Sequence, residues 1–267
     1  PGQPAALRHF LDRYPVHAPT LFLMAPAEED RSLFDPRYDP ADPELSTLLE
    51  ICEPGLHSSY RGYNDGQRIA SQKVRLEKAI GRSVHGHRSH YLRFEIPYTW
   101  GYVAKAGFDY DMTMGFFDLP GYRQGSSHPI PLADPSGRGR LLWSWGVGLM
   151  DQHMFMPGSP LAWNAGKSAH ALDMYLSRLR ASGGVLVLDW HVHSLDKAQF
   201  PEHFTILDRI LRRAVKDKAW IGGAGALLES YRARASAKQL AAQVMIETRP
   251  TTVVTSDADA VHAGHYI

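Results

Sequence analysis

Residues 184–193 read Gly184-Val185-Leu186-Val187-Leu188-Asp189-Trp190-His191-Val192-His193. A short apolar run rich in valine, opened by glycine and closed by charged and imidazole side chains, is the pattern of a strand buried on both faces. Segments with helical spacing flank it at 166–181 and 201–216. Working outward, the same alternation recurs. Strands are expected at 19–25, 54–58, 83–88, 108–111, 141–149, 219–222 and 251–256, and helices at 5–14, 41–52, 67–80, 97–106 and 223–243. Asp42-Pro43 supplies a cap and a first turn, and Gly81 and Gly107 end their helices. The stretch 118–135, rich in Gly, Pro and Ser, reads as loop. Strand–helix alternation argues for an α/β fold with a parallel sheet. Seven or eight units in about 250 residues suit a (β/α) barrel better than an open sheet.

In such a fold the residues that follow the strands share one rim, where active sites form. Here those residues are His57, Arg88, Asp111, Asp151, His191 and Asp257. No repeat or linker interrupts the chain, so residues 1–267 read as one domain. The order of elements is unusual. A helix with no preceding strand opens the chain, and a strand with no following helix closes it. Joining 251–267 to 1–25 restores a β-loop-α-β unit, and Met245 stands where that unit would start. The sequence therefore reads as a circular permutation, which a closed barrel tolerates.

Composition excludes several classes. The 267 residues are 44% hydrophobic and 21% charged, and 29 basic residues nearly balance 28 acidic ones. A net charge of +1 supplies no global attraction to nucleic acid or to an anionic membrane. No apolar run reaches the ~20 residues of a membrane span. The N-terminus shows no signal-peptide pattern, so a cytoplasmic location is expected. Cys52 is the single cysteine and cannot form an intramolecular disulfide. Fourteen histidines are many, and imidazole is both a metal ligand and a proton carrier near neutral pH.

The polar positions carry distinct chemistries. Asp257 and Asp259 alternate to the same side of a strand end, where they could hold a cation or act as a base; they also read as a capping turn. His57 closes the strand 54–58 and reads as a ligand or as a hydrogen-bonded structural group. Arg88 can hold a carboxylate in its ionised form. His85 and His87 read as packing. His191 leaves the most buried strand and is placed to act as a general acid, with Trp190 excluding water. Asp189 either orients a neighbour or is a satisfied polar group.

Several runs resemble the polysaccharide deacetylase family, carbohydrate esterase family four, in its chitooligosaccharide-deacetylase-like form. They are Leu56-His57-Ser58-Ser59-Tyr60, Arg88-Ser89-His90-Tyr91-Leu92-Arg93-Phe94, Pro97-Tyr98-Thr99-Trp100, Ala106-Gly107-Phe108-Asp109-Tyr110-Asp111 with Thr113-Met114-Gly115-Phe116, Pro120-Gly121-Tyr122-Arg123-Gln124-Gly125, and Asp189-Trp190-His191. The resemblance implies a distorted (β/α)7-type barrel. It also implies a metal-dependent hydrolase that removes N-acetyl groups from amino sugars or glycans. By resemblance Asp257 is the base, Asp259 and His57 are metal ligands, Arg88 tethers Asp257, His191 is the acid and Asp111 supports the network. The cation would be a divalent metal, zinc first, with cobalt, nickel or manganese as alternatives. Tyr60, Tyr91 and Trp190 would face the sugar.

The sequence departs from the family at Arg61, which stands where a second imidazole ligand belongs and cannot ligate. His90, in place of a proline, is the available substitute, or else a substrate contact. Two rivals follow from this departure: a catalytically silent barrel that binds carbohydrate, and a metal-independent hydrolase of another C–N amide.

Overall fold

The computed structural model describes residues 3–132, 141–155 and 165–235. The expected strand 251–256, Asp257, Asp259 and the permuted junction lie outside the described residues. The chain divides into two units, Pro1–Gly225 and Ala226–Ile267. In the second, residues 226–235 are helical; the account below concerns the first. Among the described residues no helix is long and apolar enough to cross a membrane.

The architecture is mixed α/β. Strands β1 (Thr20–Leu23), β2 (Glu53–Ser58), β3 (Gly86–Ser89), β4 (Tyr110–Asp111), β5 (Ile130–Leu132) and β6 (Leu142–Ser144) form one sheet in the order β1-β2-β3-β4-β6-β5. All neighbours are parallel except β5, which pairs antiparallel with β6. Strands β7 (Val147–Met150) and β8 (Val187–Asp189) form a second, parallel pair. The helices are α1 (Gln3–Leu11), α2 (Pro43–Leu49), α3 (Gly66–Ile80), α4 (Tyr98–Lys105), α5 (Asp151–Phe155), α6 (Ala165–Ser182) and α7 (Pro201–Lys216). The strands β1 to β4 and β6 follow one another in chain order without reversal, as in singly wound folds, whereas doubly wound sheets reverse at a switch point. The described strands do not close into a ring: hydrogen bonding leaves two sheets.

Local chemistry explains the elements. The α3 helix is capped by Asp65, which accepts from the Arg68 amide at 3.0 Å, and it ends at Gly81 in the left-handed conformation (φ 66°). Its buried residues Ile69, Gln72 and Leu76 share one face. The buried Gln72 amide is satisfied by Ser59 through the Ser59 N–H (2.9 Å) and Oγ (2.8 Å). In α2 the cap is Asp42, as its sequence indicates, accepting from Glu44 at 2.8 Å with Pro43 in the first turn. The expected strand 141–149 instead divides between the two sheets. The Trp145 amide donates to the Asp111 carbonyl, while the Val147 amide donates to the Met114 carbonyl, both at 2.8 Å. Gly146 lies at the division beneath the Gln124 side chain. The expected loop 118–135 contains β5, and α5 was not anticipated.

Register sorts the side chains into two faces. Leu23, Leu56, His87, Asp111 and Ser144 align across neighbouring strands. This face packs on the helices, since Leu23 and Leu56 share a buried cluster with Ile69, Leu76 and Val103. Phe22, Gly55, Gly86, Tyr110 and Trp143 align on the opposite, inner face. The two glycines there admit rings: a Cβ at Gly55 would lie 2.6 Å from the Phe22 ring, and one at Gly86 would overlap the Tyr110 ring. Tyr110 spans Gly86 and donates its hydroxyl to Glu53 at 2.7 Å. Gly86→Ala is therefore expected to destabilise the fold by about 1–3 kcal/mol through overpacking. Urea denaturation measures this, and an unchanged midpoint would show that Tyr110 is not held against Gly86.

Candidate active site

One residue pair further along the strands, His57 and Arg88 are register partners on the inner face. The His57 Nδ1–H donates to the Arg88 carbonyl at 3.2 Å, because a carbonyl can only accept. Nε2 is therefore bare. Burial, reinforced by the charges of His90 and Arg88, holds the His57 pKa well below the ordinary histidine value. The Arg88 Nε donates to the Met112 carbonyl at 3.0 Å, and its guanidinium stacks 4.9 Å from the Phe22 ring. Its Nη1 donates to Asp189, the last residue of β8. Nη2 is buried and has no partner among the described residues. Arg88 was expected to tether Asp257; its described carboxylate partner is Asp189.

Two residues beyond Asp189, the His191 Nδ1–H donates to Asp151 Oδ1 at 2.7 Å. The other oxygen of Asp151 accepts from the His191 amide (3.1 Å) and the Ser194 hydroxyl (2.6 Å). Asp151 directly follows β7 and is buried. Burial alone would lower the His191 pKa, but the hydrogen bond and charge of Asp151 outweigh it and raise the value. Burial would likewise raise the Asp151 pKa, yet its bond to His191 and its other donors hold it below the carboxylate range. The pair is an imidazole biased toward its acid form, with Nε2 as the only nitrogen left to act.

A second carboxylate–imidazole pair comes from the loops. The His90 Nδ1 lies 3.0 Å from Asp35 Oδ1. The rings of His90 and His57 meet edge to face, 4.9 Å apart. Both rings lie close enough to His191 to sense its charge. Burial lowers the His90 pKa despite the bond to Asp35. Beside His90, Tyr91 and Leu92 hold left-handed backbone angles (φ 58° and 51°), a strained conformation for non-glycine residues. Tyr91, Tyr60 and Phe34 form an aromatic cluster with centroid separations of 4.6–5.7 Å.

Other expectations are relocated. Asp111, expected in the catalytic network, lies on the helix-packed face, opposite His57 and Arg88. It is fully buried and bonds to His87 (2.7 Å) and to the amide and hydroxyl of Thr113. Strand alternation makes this placement unavoidable, because Asp111 aligns with His87 and not with Arg88. Trp190, expected against substrate, packs among Leu149, Leu172, Ile206 and Ile210. Arg61 is exposed. Asp35 was missed altogether, and Asp151 was noted only for its position after a strand.

A divalent cation needs neutral imidazoles whose second nitrogen is fixed by an outer partner. His57 and His90 meet that requirement, with a carbonyl and a carboxylate on Nδ1. The described residues contain no group of three His, Cys, Asp or Glu side chains placed to hold a metal.

No protein-family model matches the sequence, and no curated protein matches it. Solved structures do. A protein of Mycobacterium smegmatis assigned as a polysaccharide deacetylase is similar with TM-score 0.63 and 22% identity, over 87% of this chain and 78% of that one. PuuE allantoinase is similar with TM-score 0.55 and 16% identity, over 71% of this chain and 62% of that one. The fold is the mixed α/β fold of these two structures.

The His191 contribution to stability is full below the ordinary histidine pKa of about 6.5 and is lost as pH rises through its raised folded value. Asp151→Asn removes the charge responsible. NMR titration of His191 is expected to show its pKa fall in this variant; an unchanged titration would break the assignment of the pair.

Proposed function

We propose that this chain is a hydrolase of a non-peptide C–N amide bond, removing an N-acetyl or similar acyl group from an amino sugar or glycan precursor. The observation that carries this reading is the Asp151–His191 pair beside Arg88–Asp189. It sets an imidazole whose pKa Asp151 raises just beyond the ends of β7 and β8. Amide hydrolysis needs such a group: water adds to the acyl carbon, the C–N bond breaks, and nitrogen must be protonated to leave as a neutral amine. His191 Nε2 would deliver that proton while Asp151 stabilises the imidazolium. Arg88 would fix Asp189 and contribute positive charge where negative charge gathers on the acyl oxygen. By the resemblance to the polysaccharide deacetylases, Asp257 would be the base. His57 and His90, with Asp259, would hold a divalent cation, zinc by its donor type; when bound, such a cation lowers the pKa of a water molecule and polarises the carbonyl. Tyr60, Tyr91 and Phe34 offer ring faces to a sugar.

A second reading is favoured by the position of Arg88, whose fixed guanidinium beside His57 opposes a cation there. In this reading a cation-independent hydrolase acts on a cyclic amide, and the likeness to an allantoinase supports it. Acetate release from N-acetylglucosamine oligomers, measured with and without added zinc, is expected to be detectable. His191→Ala is expected to reduce it by about 10²–10⁴-fold. Ring opening of allantoin without acetate release would select the second reading, and full activity in His191→Ala would defeat both.

A further inference from the structure

The loop after β1 delivers one carboxylate into the site. The Asp35 side chain is fully buried and accepts four hydrogen bonds. Oδ2 takes the Ser32 amide (2.8 Å) and the Ser32 hydroxyl (2.9 Å). Oδ1 takes the Tyr60 amide (2.8 Å) and the His90 imidazole (3.0 Å). These donors come from three different stretches of chain: the loop itself, the turn after β2 and the turn after β3. All other donors to this carboxylate are backbone amides or a near neighbour in sequence, so only the His90 bond reaches a side chain at the site.

The geometry fixes a tautomer. A buried carboxylate with its acceptor sites directed at four donors requires a proton on His90 Nδ1, which leaves Nε2 without one. His57 is held the same way by the Arg88 carbonyl. The two imidazoles lie in edge contact, and each has its Nδ1–H committed to an oxygen acceptor, the arrangement of outer partners that metal-binding imidazoles use. His90 enters from β3, whereas Arg61, in the turn after β2, is exposed.

We propose that Asp35 is a positioning residue that locks His90 with Nε2 bare beside His57, so that the two imidazoles act together as donors to a divalent cation. This role rests on the hydrolase reading above, and the Nδ1–H tautomer can be tested without it. Zn²⁺ is the probe, its affinity measured by competition with a chromophoric chelator. Imidazole ¹⁵N shifts of the metal-free protein report the His90 tautomer. The wild type is expected to show Nδ1–H and to bind Zn²⁺. Asp35→Ala is expected to weaken binding by about 10–100-fold and to mix the tautomers. Asp35→Asn, which keeps an acceptor for His90, is expected to recover part of both. Ser32→Ala loosens the same loop without touching His90 and is expected to leave both unchanged.

Wild-type affinity and an intact tautomer in Asp35→Ala would overturn the proposal. So would equal losses in Ser32→Ala and Asp35→Ala, since Asp35 would then only anchor the loop. If the wild type takes no Zn²⁺ but Asp35→Ala still loses the tautomer, the cation reading falls and the positioning of His90 stands.

Discussion

Arg88 and Asp189 lie 101 residues apart and meet at the centre of the site. Their ion pair joins a strand of the larger sheet to a strand of the smaller one. It is also the end of a chain of dependence. Gly55 lacks a side chain, so the Phe22 ring can lie across it; that ring then supports the Arg88 guanidinium. The guanidinium fixes the last residue of β8, and two residues later the chain presents His191. Both partners are mostly buried, at 6% and 15% exposure. Removing one would leave an uncompensated charge, a loss of about 3–5 kcal/mol in comparable buried pairs. The electrostatic centre of the site thus rests on the absence of one Cβ at Gly55.

Of the four carboxylate–imidazole pairs among the described residues, all between 2.7 and 3.0 Å, three near the strand ends differ in consequence. In Asp151–His191 (2.7 Å) the carboxylate outweighs burial and raises the imidazole pKa; in Asp35–His90 (3.0 Å) burial prevails and lowers it. Asp111–His87 (2.7 Å) adds the Ser58 hydroxyl at 3.0 Å and so has the composition of a nucleophilic triad. It is closed to solvent on the helix-packed face, and its bonds tie β2, β3 and β4 together. Residue type and distance alone would rank this trio first. Exposure and sheet face decide otherwise, because a reacting group needs somewhere for a substrate to sit.

How far the sequence was legible follows from how local each signal is. The α3 helix carries its cap, its stripe and its stop within the span from Asp65 to Gly81, and its bounds are read to within a residue. The division of 141–149 is invisible, because an apolar run does not reveal that its two halves pair with different strands. His57, Arg88 and His191 stand at or just after the ends of expected strands and could be found. The face occupied by Asp111 depends on its register with β3, which pattern alone does not fix. Asp35 lies in an aperiodic loop crowded with Asp, Pro and Arg, and its partners are up to 55 positions away. Nothing in the sequence distinguishes it from its acidic neighbours.

The turn after β3 shows why these distant contacts matter. Left-handed angles at Tyr91 and Leu92 cost of order 1–3 kcal/mol each and require surroundings that enforce them. Arg93 supplies part of this restraint. It donates to the Tyr60 carbonyl at 2.9 Å and lies between the Tyr60 and Tyr63 rings, 4.0 and 4.1 Å from their centroids. Asp35 supplies the rest by holding His90 on one side and the Tyr60 amide on the other. The same tyrosine is therefore gripped through its carbonyl by Arg93, through its amide by Asp35 and through its ring by Phe34. With that grip the strained turn sets the His90 ring against His57 and leaves the Tyr91 ring at the surface beside it. Strain of this kind persists only where the surroundings over-determine it, and these contacts from three stretches of chain are such surroundings.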